Sequence, residues 1–362
     1  MRNPALLDSR GPVSAALFAV LEEAPGGGSD QGEAFLSQVA NAVEDVSDIL
    51  IDEDLQLTLT TLYGLHYGEI GDWDPRWEWQ PETIRARLRI EEAFEAALRE
   101  RIPVLDLPQP EAETVATKLF HLTAEDSGPS LSKYLAREAT DTQAVEFIIH
   151  KSIYTLKEAD PHSWAIPRLR GRAKAALVEI QADEYGGGRP EHVHATIFAG
   201  TMRAMGLSDQ YAYYLNNVPA VTLAAFNMMS MFGLNRRLRG AIVGHLAAFE
   251  MTSSIPNRFY GNGFRRLGYD EKVTWYFDEH VEADAVHEQI AGRDLAGSLA
   301  EDEPELFPDI IFGAQACLYL DGLTGSHMLT AWNSGTSSLR HPLDPVDPFR
   351  DLSESRITHG SK

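Results

Sequence analysis

His280, Asp284 and His287 form the pattern His-x3-Asp-x2-His inside the stretch Tyr276 to His287. On a helix, at about 100° per residue, positions i, i+4 and i+7 fall within about 60° of arc. Two imidazoles and one carboxylate would then share a face, a donor set suited to iron, zinc or manganese. The same spacing also describes a polar helix face carrying two unrelated histidines. A metal reading therefore needs further donors from facing helices.

The segment Lys174 to His194 is crowded with such donors. Glu184 and His194 stand on either side of Gly186-Gly187-Gly188, and glycines let a backbone deform where a site requires it. Glu191 and His194 make a competing Glu-x-x-His pattern, a form that dimetal helical proteins use. Spacing leaves both choices open. Glu158 ends a candidate helix just before Ala159-Asp160-Pro161, where an exposed carboxylate is the simpler reading. Glu250 sits in the largely apolar stretch Gly244 to Met251, and an ionised carboxylate on an apolar face is costly unless paired or metal-bound. His245 lies about 140° round the helix from Glu250 and reads as a packing or hydrogen-bonded histidine. Asp183, Glu279 and Glu282 are candidates to bond the free ring nitrogens of ligand histidines.

The elements that must position these groups are helical. Residues 1 to about 125 read as helices separated by breakers, with a turn at Gly26 to Ser29 and an aromatic loop at Asp72 to Trp79. The three tryptophans of that loop are assigned to packing, and His66 and His121 to structural roles. Ser127-Gly128-Pro129-Ser130 marks a boundary. Beyond it, helical periodicity covers 141–158, 169–185, 191–205, 218–234, 236–252, 270–290 and 308–333. No run of alternating β-branched residues competes with it. The expected architecture is all-α: an N-terminal helical region over 1–125, a bundle of about seven helices over 126–335, and a mobile C-terminal tail over 336–362.

Composition removes several function classes. Of 362 residues, 44% are hydrophobic, enough for a substantial core, and the net charge of -23 lacks the basic footprint of a nucleic-acid binder. A single cysteine, Cys317, excludes an intramolecular disulfide framework and cysteine-based zinc clusters. A reducing cytoplasm fits that usage. Val13 to Leu21 is followed at once by Glu22 and Glu23 and reads as an amphipathic helix, not a leader. The apolar run Val218 to Leu234 contains Pro219, Asn227 and Ser230 and reads as a buried core helix, so no membrane partner is expected.

The segments Gly171 to Gly188 and His280-x3-Asp284-x2-His287 resemble the haem-oxygenase-like diiron oxidases and oxygenases. The resemblance spans roughly 126–335 and implies a haem-oxygenase-like bundle. Its ligand order implies Glu158, Glu184, His194, Glu250, His280, Asp284 and His287 as metal ligands, with Glu191 as fallback for Glu184. It also implies that the N-terminal helices resemble a dimerisation region, so a homodimer is expected. No cupin domain is expected after the bundle, and no reaction needing one is implied. The implied cofactor is a pair of iron ions with O2 as co-substrate. Four carboxylates then balance two ferrous ions, and three neutral imidazoles complete a near-neutral site tolerable in a helical core. A structural zinc site is disfavoured, because zinc prefers four ligands.

The resemblance favours an N-oxygenase in specialised metabolism. It would act on a small amine, guanidine or amino-heterocycle, with an external electron donor. Oxidative C–C cleavage of an amino or fatty acid at the same centre is the alternative. A helical protein that merely binds iron or an organic cofactor is the non-enzymatic alternative. Phe226 and the methionines 228, 229 and 231 are read first as core. Arg265 and Arg266 are read as surface residues that could otherwise hold a substrate carboxylate.

Overall fold

The computed structural model describes residues 7–26, 30–124 and 130–343, without the side chains of 282–286. Most of the turn expected at 26–29, of the boundary at 127–130 and of the tail lies outside these residues. Among the described residues there is no β-strand, and the expected all-α class is what the chain adopts. The helices are α1 (Pro12–Leu21), α2 (Asp30–Asp45), α3 (Glu53–Tyr67), α4 (Pro81–Arg101), α5 (Ala112–Ala124), α6 (Leu131–Arg137), α7 (Asp141–Thr155) and α8 (Asp160–Ser163). There follow α9 (Gly171–Glu184), α10 (His194–Ala204), α11 (Ala220–Leu234), α12 (Arg239–Arg266), α13 (Glu271–Gln289), α14 (Ser298–Asp302) and α15 (Phe307–Asn333). A π-helical segment, Ile290–Gly297, joins α13 to α14.

The start of α3 organises its neighbours. Asp52 caps α3 itself, accepting from the Leu55 N–H at 2.8 Å. Asp54 accepts from the Val13 and Ser14 N–H groups at 2.8 Å each, and Glu53 accepts from the Ala220 N–H at 2.9 Å. Two carboxylates thus satisfy the positive N-terminal ends of α1 and α11 from a third helix. Along the α3–α11 contact, the Asn227 amide nitrogen donates to Gln56 O at 2.9 Å and Gln56 Oε1 at 2.7 Å, while Thr60 donates to Asn227 Oδ1 at 3.0 Å. A buried amide network with its partners in place specifies register between helices. One hydrophobic core runs from Val13 through Leu98 and Phe232 to Leu320, so the N-terminal helices and the bundle share an interior.

Helix α11 is buried at every residue except Ala225 and Leu234, as its apolar sequence requires. Pro304 to Asn333 is long and apolar enough to cross a membrane, but 61% of its apolar window is buried against the rest of the fold. Trp77 of the aromatic loop is buried in the same core, whereas Trp79 is exposed. The expected helix 236–252 proves longer: α12 continues through Pro256 to Arg266. Pro256 removes one backbone donor, but packing against α13 and α15 on either side carries the helix through. At the other end of the bundle, Glu146 accepts from Trp332 Nε1 at 2.7 Å and from the Ser338 N–H at 2.9 Å, so Ser338 and Leu339 are buried against α7.

Helices α12 and α15 cross at two glycines. A Cβ on Gly244 would lie 1.8 Å from Ile310 O, and one on Gly313 would lie 1.9 Å from Ala241 O. The obstacles are backbone atoms, which cannot swing aside. Gly244→Ala is therefore expected to destabilise the chain by about 3 kcal/mol, at the upper end for overpacking. Chemical denaturation measures this, and an unchanged midpoint would show that the two helices can part freely.

Candidate metal centre

Five structural contributions meet, from the turn after α7 and from α9, α10, α12 and α13. Helix α7 stops at Thr155, and the following turn carries Glu158 inward, where it is 9% exposed. Glu184 is the last residue of α9, because Gly186, Gly187 and Gly188 all adopt positive φ. Gly186 has no alternative, since a Cβ there would sit 2.7 Å from His192 C and Val193 N. This tight reversal returns the chain so that His194, first residue of α10, faces Glu184 with Nδ1 3.0 Å from Oε2. Glu250 comes from the middle of α12, and His280 and His287 from α13, all three buried.

These six residues fall into two groups of three. Glu158, His194 and His280 each offer an atom within 4.8 Å of the others, and so do Glu184, Glu250 and His287. The backbone of Asp284 lies on α13 between the two histidines, but its side chain is outside the described residues. Glu191 is exposed in a short 3-10 turn and belongs to neither group. Two members of each group, Glu158 and His280 of one and Glu184 and Glu250 of the other, line a cavity of about 30 Å³. That is room for about two water-sized bodies.

The orientation of each donor is set from behind. The hydroxyls of Tyr154 and Tyr276 both donate to Glu158 Oε1, at 2.9 and 2.6 Å. His280 Nδ1 bonds Tyr276 O at 2.8 Å, which makes it the protonated nitrogen and turns Nε2 inward. His287 Nε2 bonds Asp183 Oδ2 at 2.9 Å and turns Nδ1 toward Glu250 Oε2 at 3.5 Å. Asp183 thus takes the supporting position expected of it, whereas Glu279 accepts from Trp275 Nε1. Glu158 Oε2, Glu184 Oε2, His194 Nδ1 and His287 Nδ1 are buried without a well-formed hydrogen bond, His194 and Glu184 facing each other as an ion pair and His287 lying 3.5 Å from Glu250. Unsatisfied buried polar atoms are rare and costly. Their gathering from separate elements into two compact donor groups fits cation binding, and nitrogen and carboxylate donors suit iron.

Electrostatics agree with that reading. Burial by itself would lower the His287 imidazole, but Glu250 and Asp183 outweigh it and raise the group to about 9. Burial opposes the charged form of His194 too, and Glu184 overcomes it, raising His194 above its ordinary value. For Glu158 burial pushes upward, yet His280, His194 and the Tyr276 hydroxyl hold the carboxyl well below the usual range. Protons on histidines therefore stand in for cations in the metal-free chain.

Other residues sit where helical arithmetic would put them, although their types alone did not flag them. Tyr154 precedes Glu158 by four residues, Tyr276 precedes His280 by four, and Gln181 precedes Glu184 by three. Tyr276 and Gln181 share their partners' helix faces, and Tyr154 reaches Glu158 across the end of α7. His162 and His245 form a buried pair, with His162 Nε2 3.1 Å from His245 Nδ1. Burial depresses both, His162 to about 4, so this pair is neutral. His245 is the hydrogen-bonded histidine its spacing suggested. Arg265 pairs with Asp278, and Arg266 donates to the carbonyls of Leu135, Ala136 and Ala139, so both arginines serve the fold.

A helical bundle with two His/Glu groups at its centre defines a class, and comparison with known proteins agrees. Residues 145–322 match the family model described as an iron-containing redox enzyme. Over 210 residues it is 27% identical to a nitrosourea synthase of Streptomyces achromogenes subsp. streptozoticus, covering 56% of this chain and 43% of that protein. The chain thus matches less than half the length of that relative. Among solved structures, a CADD-like protein of unknown function from Nostoc punctiforme aligns at 18% identity, covering 60% of this chain and 97% of the other, with a TM-score of 0.49. A domain of unknown function with a heme oxygenase-like fold from Shewanella denitrificans aligns at 14% identity, covering 64% and 97%, with a TM-score of 0.47.

Proposed function

We propose that the protein is a diiron, O2-dependent N-oxygenase acting on a small amine, guanidine or amino-heterocycle. The observation that carries this reading is the pair of three-residue donor groups, two members of each lining one cavity. Glu158, His194 and His280 would hold one iron ion; Glu184, Glu250 and His287 would hold the other, with Asp284 of α13 completing the set. When bound, two ferrous ions supply two electrons to O2, activating it for transfer of one oxygen atom to nitrogen. Hydroxylation of an N–H then takes up two protons and releases the second oxygen as water. An external donor must restore the two electrons after each turnover.

The chain's own residues do the rest. Tyr154 and Tyr276 keep Glu158 Oε1 occupied, which leaves Oε2 as the inward donor. Asp183 and the Tyr276 carbonyl fix the two α13 imidazoles in the orientation a ligand needs. Leu246, Phe249 and Ala159 line the cavity with apolar surface and limit the water that can enter. The neutral His162–His245 pair adds no charge to the wall.

Anaerobic loading with Fe(II) followed by rapid mixing with O2 tests the reading. About two ions per chain and a transient visible absorption are expected, with faster decay when an amine or guanidine is present. Fewer than two ions and no transient would defeat it. Decay hastened only by carboxylic acids that lack an N–H would favour oxidative C–C cleavage instead.

A further inference from the structure

On the wall of the same cavity stands one polar side chain that the ligand set does not use. Gln181 lies on α9, one turn before Glu184 and on the same face, and is 3% exposed. Its amide nitrogen donates twice, to Ala159 O at 2.8 Å and to Ser163 Oγ at 2.7 Å. An amide group offers two N–H donors and one carbonyl acceptor, and its orientation follows from its partners. With both donors engaged by oxygen atoms, the nitrogen is identified and the carbonyl end is set. Gln181 Oε1 is then a buried acceptor with no hydrogen-bond partner. Leaving such an atom unmatched costs about 1–3 kcal/mol, so native proteins seldom keep one without a use.

We infer that Gln181 Oε1 is the acceptor that receives an N–H of the substrate at the metal centre, making Gln181 a determinant of specificity for amines and guanidines. The inference rests on the N-oxygenase reading and narrows it to the reacting end of the substrate. A neutral carbonyl oxygen accepts from N–H and O–H groups and repels a carboxylate. Its neighbours on the wall, Glu158, Glu184 and Glu250, reinforce that choice by disfavouring a second anion. The cavity holds only a small group, so recognition at this point concerns the head of the molecule and not its tail. Anchoring by Ala159 O and Ser163 Oγ keeps the amide from turning its donors inward, which gives the acceptor a fixed sign.

The test compares the wild-type chain with Gln181→Met, which keeps the side-chain volume and removes the amide. Both proteins are loaded anaerobically with Fe(II), their metal content is measured, and methylguanidine and acetate are titrated by calorimetry. The expected result is full iron in both proteins, with methylguanidine binding about ten-fold weaker in the variant, the cost of one lost hydrogen bond. Acetate binding should be weak and indifferent to the substitution. Equal methylguanidine affinity in the two proteins, or tighter binding of acetate than methylguanidine by the wild type, overturns the role of Gln181. Gln181→Leu, which also removes the amide and leaves an apolar side chain of similar size, serves as a second variant. Should Gln181→Met fail to fold, weakened methylguanidine binding by iron-loaded Gln181→Leu supports the role, and wild-type affinity overturns it. A wild type that takes up fewer than two ions defeats the diiron reading itself, and the iron measurement separates that failure from the other.

Discussion

The metal-free protein is expected to lose stability as pH rises through the upper neutral range, and the metal-loaded protein to keep it. His287 is held at about 9 in the metal-free chain by Glu250 and Asp183, well above the ordinary histidine value. A group whose folded value is raised contributes stability that is full below the unfolded value, about 6.5. That stability is lost as pH rises through the folded value, here about 9. His194 is raised as well, so it adds to the same trend. The metal-free melting temperature should therefore fall between about pH 6.5 and pH 9.

Metal binding requires the neutral imidazole, so each ion must displace these protons. Apparent Fe(II) affinity should rise by about ten-fold per pH unit for each proton displaced, levelling near the His287 value. The stabilisation conferred by metal grows with affinity, and this gain offsets the loss in the free chain, so the melting temperature of the loaded protein should stay level where that of the free protein declines. Calorimetric titration in buffers of different ionisation enthalpy counts the protons directly. Metal uptake independent of pH between 6 and 9, with no proton release, would mean that His287 and His194 are not ligands.

The second large effect concerns Glu250. Glu250→Gln removes a carboxylate from the Glu184–Glu250–His287 group while keeping size and hydrogen-bonding capacity. Iron content should fall from about two ions per chain to about one, because the Glu158–His194–His280 group has no member on α12. One ferrous ion supplies one electron, so the two-electron reduction of O2 should be lost rather than slowed. In the metal-free variant His287 loses its largest upward influence, and its titration should move down from about 9 toward the ordinary range. Metal analysis, O2 uptake and histidine NMR read these three consequences separately. A variant that keeps two ions and an unmoved His287 would take Glu250 out of the centre.

Part of this centre is legible in the order of residues, because part of it is local. His280 and His287 share a face through the helical period, and the apolar surroundings of Glu250 mark its carboxylate as anomalous. The all-α class is legible for the same reason, since long stretches keep a 3.6-residue pattern without strand alternation. Helix ends are less secure. The residues around Pro256 suggest a stop near residue 252, yet contacts with α13 and α15 override one missing donor.

Other features depend on which helices meet, and spacing along one chain carries no such information. Glu158 reads locally as a solvated helix end, and only the packing of α13 brings Tyr276 and His280 onto it. Glu184 and Glu191 are equivalent by spacing; the positive-φ glycines and the collision a Gly186 Cβ would make aim the first inward and leave the second in solvent. The division into two groups, and the unmatched oxygen of Gln181 beside them, arise from distances across five elements. Amino-acid order is enough to specify the helices and the kinds of donor they carry. Which donors converge is settled by the folded chain, because convergence depends on close packing between helices far apart in the sequence.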